Sequence, residues 1–118
     1  MTAIRTVIVT IPPMFRDLII HLMAKHDGLD VVEEFTAREG LEERLPPIAP
    51  DLVLVGLARN EGDEIGLSLV RRLPTAKVIA FSSDGRHAFV HGMQPQRTEL
   101  LDVSPQALIK AIIASHAN

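Results

Sequence analysis

The sequence predicts an α/β domain with a parallel sheet covered by helices on both faces. Three observations predict it. Five short runs rich in Val, Ile and Leu recur along the chain, at residues 4–10, 30–35, 51–57, 77–82 and 98–103. Stretches with apolar residues at helical spacing separate them, and clusters of Pro, Gly and Asp punctuate the joins. Strands alternating with helices form βαβ units, whose crossovers return right-handed and leave the strands parallel.

Each element has its own justification. "IRTVIVT" (Ile4 to Thr10) is a β-branched run, as expected of a strand buried on both faces. Pro12 and Pro13 suit a first helical turn, and Phe15, Leu18, Ile19, Leu22 and Met23 then recur at helical spacing until Asp27-Gly28 stops the helix. "DVVEEF" (Asp30 to Phe35) is a short strand with two glutamates, which places it at a sheet edge. A short helix fits "AREGLEERL", with Leu41 and Leu45 one turn apart, and Pro46, Pro47 and Pro50 are expected to end it.

"DLVLVGL" (Asp51 to Leu57) is the most apolar strand and should be central. After the loop "ARNEGDE", "IGLSLVRRL" is helical, with Ile65, Leu69 and Leu73 on one face and Arg71 and Arg72 where cations suit the helix dipole. "KVIAFS" (Lys77 to Ser82) is the fourth strand, "GRHAFVHGM" reads as a short fourth helix, and "TELLDV" (Thr98 to Val103) as a fifth strand. Ser104 caps a last helix, Pro105 takes its first position, and Leu108, Ile109, Ile112 and Ile113 line its apolar face.

Five such units in 118 residues make one domain, residues 1–118, with the flavodoxin-like strand order 2-1-3-4-5 and five helices. In that order the loops after strands 1 and 3 meet at the topological switch point, where a ligand or a reaction belongs. Composition narrows the function. Apolar residues make up 47% and charged residues 23%, which argues against disorder. A net charge of −3 offers no electrostatic case for nucleic acid. The absence of Cys excludes disulfides, thiolate metal sites and a Cys nucleophile. The apolar runs are too short for a membrane span, and "MTAIRTV" enters a strand with no signal-peptide pattern, so a soluble cytoplasmic protein is expected.

Four segments in order carry a resemblance: "IRTVIVTIPPMFRDLI", "APDLVLVGL", "LVRRLPTAKVIAFSS" and "LLDVSPQALIKAII". Together they resemble response-regulator receiver (CheY-like) domains, especially those attached to helix-turn-helix output domains, over the whole chain. The functional residues of that family do not carry over. Its Mg²⁺-holding acidic pair falls on Thr10 and Ile11, its phospho-accepting aspartate on Gly56, and its lysine on Leu101. The hydroxyl residue ending the fourth strand is kept as Ser82, and the aromatic that rotates on activation falls near Thr98. The loop "ARNEGDEIG" is about two residues longer than the family's and lacks its proline. The resemblance therefore implies a degenerate member, a pseudo-receiver without aspartyl phosphorylation. Mg²⁺ needs carboxylate oxygens, and phosphoryl transfer needs an acceptor and a charge clamp.

Other acids and bases have modest readings. Glu61, Asp63 and Glu64 are expected to be solvated and to favour the start of the following helix, although Gly62 and Gly66 could let that loop fold over the crevice. His87 and His91, four apart, share a face of the expected fourth helix, with no third ligand evident. His21 and His26 flank the end of the first helix, and His116 is in the tail. In "SSDGR", Ser83 or Asp84 is expected to cap a helix rather than frame an anion pocket.

The expected function is phosphorylation-independent protein–protein interaction in two-component-type signalling, with a homodimer as the expected assembly. The resemblance implies an interaction face on the fourth helix, fifth strand and fifth helix: His87, Val90, His91, Gln94, Arg97, Thr98 and Lys110. The alternative is a small-molecule sensor that uses the de-acidified crevice. No acid/base pair or nucleophile points to an enzyme, and no cofactor or metal is implied.

Overall fold

The computed structural model describes residues 4–25, 29–59, 61–62, 64–73, 75–83, 87–92 and 98–100. Through residue 81 the chain follows the alternation read from the sequence: β1 (Ile4–Val9), α1 (Pro13–Ala24), β2 (Leu29–Phe35), α2 (Leu41–Ile48), β3 (Leu52–Gly56), α3 (Glu64–Arg72) and β4 (Lys77–Phe81). Two short strands follow, β5 (Ala88–His91) and β6 (Thr98–Leu100). The sheet order is β2-β1-β3-β4-β5-β6. β2, β1, β3 and β4 pair in parallel. β5 runs antiparallel to β4, and β6 antiparallel to β5.

Alternation along the strands sorts the core onto the two faces of the sheet. Val7, Val9, Val53, Val55 and Val78 face α2 and α3, where Leu41, Leu45, Leu69 and Val70 meet them. Ile8, Leu52, Leu54, Ile79 and Phe81 face the other way, with Ile19 and Met23 of α1. Every residue of β3 is buried, as expected of the central apolar run. β2 is an edge strand, as its charges suggested. Asp30, Glu33 and Glu34 are exposed there, and such charges discourage pairing with a foreign strand.

Two expectations are corrected. Pro46 and Pro47 do not end α2, which begins after Gly40 in the left-handed region (φ 74°) and continues to Ile48. The two prolines remove backbone donors, but burial of Leu41 and Leu45, with Ile48 packed beside them, holds the turn in place. The helix stops at Ala49, itself left-handed at φ 53°, just before Pro50.

The larger correction is the fourth helix. Residues 88–91 of "GRHAFVHGM" form β5 instead, with Ala80 opposite Phe89 and Val78 opposite His91. The link from β4 is too short for a parallel crossover, which takes a dozen or more residues. It is closed by two hydrogen bonds: the Ser82 N–H donates to the His87 carbonyl (2.9 Å), and the His87 N–H donates to Ser82 Oγ (3.0 Å). The expected fifth strand is present as β6 over Thr98–Leu100, but antiparallel. The expected last helix lies outside the described residues.

Candidate functional site

The carboxyl ends of β1 and β3 meet as the strand order requires, and the residues there close the space between them. Thr10 leaves β1 with φ 49°, a left-handed conformation that is costly for a β-branched residue. Its N–H donates to the Phe35 carbonyl (2.8 Å) and its Oγ1 to the Gly56 carbonyl (2.9 Å), and these bonds hold the turn. Gly56 lies directly beneath it. A Cβ at Gly56 would stand 2.4 Å from the Thr10 carbonyl oxygen and 3.1 Å from the Ile11 Cα. The position is therefore sterically closed to any side chain, a stronger statement than the lack of an acidic residue.

One cation ties the loops above this closure together. Arg38, in the β2–α2 loop, donates through Nη2 to the Gly56 carbonyl and through Nη1 to Glu61 in the β3–α3 loop, while its Nε lies 3.4 Å from Thr10 Oγ1. The second Glu61 oxygen accepts the Ala58 N–H (2.7 Å), and the Glu61 N–H donates back to the Ala58 carbonyl (3.0 Å). Glu61 is therefore not the solvated helix-start acid expected from the sequence. Its side chain is 29% exposed and ion-paired. Asp63 lies outside the described residues, and Glu64 is exposed in the first turn of α3 as expected. Gly66 does not hinge the loop; it is buried within α3.

The hydrogen bond from Arg38 holds the Glu61 carboxyl below the ordinary glutamate range. The Ala58 N–H assists and partial burial opposes. Because the folded value is depressed, the stabilisation is full above the unfolded pKa and is lost as pH falls through the folded one. Glu61→Gln should therefore cost about 1 kcal/mol at pH 7. That difference should vanish in urea titrations run below the folded pKa; a gap that persists in acid would show that the charge contributes nothing.

These residues do not fit the divalent ion that receivers hold. The Gly56 carbonyl already accepts from Thr10 and Arg38, and a guanidinium stands where a cation would bind. Among the described residues no three His, Asp or Glu side chains converge as a metal site would require. On the α1 side lies an apolar cleft of about 230 Å³, formed by Ile11, Phe15, Leu57 and Phe81 with Ser82 and Ser83 at one end. Phe15 packs edge-on against Phe81 there, with ring centroids 5.6 Å apart.

The expected interaction face is rearranged by β5. His87, Phe89 and His91 share one side of the strand and Ala88 and Val90 the other, by strand rather than helix periodicity. That places His91 at 2% exposure against α3, where its ring occupies the space that a Gly66 side chain would need. Val90 packs half-buried on the α1 face. His87 remains exposed, its ring stacked on Phe89 at 6.5 Å. Thr98 pairs with Val90 in the β5–β6 ladder. Gln94, Arg97, Leu101, Lys110, Asp84, His26 and His116 lie outside the described residues, while His21 is exposed near the end of α1.

Arg38 is the site residue that sequence reasoning missed. Its only local signal is a lone cation in the loop after an edge strand, and its acceptors lie 18 to 28 residues away. Among the described residues no helix is long and apolar enough to cross a membrane. Comparison with family models, with curated proteins and with solved structures returned no match.

Proposed function

We propose that this chain is an atypical receiver-like module of two-component-type signalling that acts by docking to protein, a second copy of itself included, without being phosphorylated. The closure of Gly56 against Thr10 carries the reading. The position where a receiver presents its acceptor has no room for one, and the crevice beside it holds an arginine in place of a metal. The α/β fold with parallel β2-β1-β3-β4 supports the receiver likeness, and the β4–β5 hairpin sets this chain apart from it. The exposed His87, stacked on Phe89, offers a contact point on the rearranged face.

The test has two parts. Incubated with Mg²⁺ and a small phosphodonor, the protein should keep its intact mass; a phosphoryl adduct on a carboxylate would overturn the proposal. Light scattering at high micromolar concentration should show a dimer, and a single monomer peak would remove self-association from it. The apolar cleft between Ile11 and Phe81 favours a second reading, a sensor of small apolar molecules. A compound that raises the melting temperature of wild type and not of a Phe15→Asp variant would favour that reading.

A further inference from the structure

We propose that Arg38 and the Ala58 N–H form a carboxylate-binding site at the switch point, filled by Glu61 in the free protein and open to exchange with an external carboxylate. The inference stands whether or not the chain is a receiver-like module. Its basis is the way Glu61 is held. One carboxylate oxygen takes the Ala58 N–H at 2.7 Å and the other takes Arg38 Nη1. Two donors, one per oxygen, are what any carboxylate needs, and a charge-assisted pair of this kind is among the stronger hydrogen-bonding arrangements.

The cradle does not depend on its present occupant. Arg38 Nη2 is bonded to the Gly56 carbonyl, and Nε approaches Thr10 Oγ1, so two further contacts, at the end of β3 and just after β1, orient the guanidinium. Glu61 is joined to the turn by its backbone bond to Ala58, and its side chain is not packed in either apolar cluster. The site also lies at the carboxyl edge of a parallel sheet, between the loops after β2 and β3 and over the ends of β1 and β3, the edge at which doubly wound folds bind their ligands.

The same surroundings select the ligand. A single guanidinium charge matches a monoanion. The Gly56 carbonyl oxygen, directed toward Arg38, would repel the second charge of a phosphate dianion. The chemical class is therefore a carboxylate, either a free small acid or an acidic side chain on a peptide. The tethered Glu61 competes at high local concentration, so an external acid binds with reduced apparent affinity until Glu61 is removed or outcompeted.

The experiment is an amide and arginine Nε–H NMR titration of the full chain with sodium acetate, set against sodium chloride at equal ionic strength. In Glu61→Ala the Ala58 N–H and Arg38 Nε–H signals should shift saturably with acetate. Half-saturation should come at a concentration roughly tenfold below that of wild type, the effect of removing one competing charged hydrogen bond. Arg38→Gln on the Glu61→Ala background should abolish the shift. A blocked tri-glutamate peptide that saturates before acetate assigns the natural source to an acidic segment; the reverse order assigns it to a free acid. No saturable shift, an equal shift with chloride, or a shift that survives loss of Arg38 would overturn the site. Should Glu61→Ala fail to fold, wild type carries the test, since its Arg38 signal should still move saturably at higher acetate and a flat response would overturn the site. None of these outcomes alters the phosphodonor result.

Discussion

Gly56→Ala should lower folding stability by about 3 kcal/mol, the upper range for overpacking a filled core. The added methyl would meet a backbone carbonyl oxygen at 2.4 Å, and backbone cannot rotate aside as a side chain can. Relief requires β1 and β3 to separate where Thr10 Oγ1 bonds the Gly56 carbonyl, which breaks that bond and disturbs the Arg38 contact. Gly56→Asp should be worse. It adds the same clash and brings a larger, charged side chain into space that the Thr10 carbonyl and the Ile11 Cα already fill. An aspartate placed where the receiver resemblance expects the acceptor should therefore unfold the domain rather than make it phosphorylatable. Urea denaturation followed by circular dichroism reads both variants. If Gly56→Ala melts with wild type, the closure on which the proposed function rests is absent.

The second large effect links α3 to the unexpected strand. A Cβ at Gly66 would stand 2.3 Å from His91 Cδ2 and 2.7 Å from Nε2. His91 is 2% exposed on β5, so its ring is enclosed by neighbouring atoms. Gly66→Ala should cost about 2 kcal/mol by overpacking, more than the roughly 1 kcal/mol that alanine gains over glycine inside a helix. The sign should reverse on a His91→Ala background, where the ring is gone and only the helical gain remains. A cycle of four stability measurements reads this directly. Equal effects on both backgrounds would mean that β5 does not pack on α3 as described, and would return residues 88–91 to an open assignment.

The legible part of the fold is the part buried on both faces. β1, β3 and β4 are runs of Val, Ile and Leu whose neighbours above and below are equally apolar, so composition alone marks them. α1 and α3 are readable because their apolar faces repeat at helical spacing. β5 is hard to read because four residues hold too little pattern: Ala88, Phe89, Val90 and His91 suit a helix turn as well as a strand. A signal was present. "VIAFSSDGRHAFV" is an apolar run, an Asp-Gly pair and a second apolar run, the mark of a hairpin. α2 shows the opposite error, in which a correct rule about proline was overridden by the burial of two leucines.

The site divides in the same way. Thr10, Ile11 and Gly56 already imply, on the receiver resemblance, a switch point with no carboxylate pair and no acceptor. The sealing of Gly56 by the Thr10 backbone, the clasp of Arg38 and Glu61 above it, and the inward turn of His91 against Gly66 emerge only in the folded chain. The difference is one of range. Strand burial and helical spacing are written in neighbouring residues, whereas these contacts join loops and strands tens of residues apart, and it is the packed sheet that sets their distances.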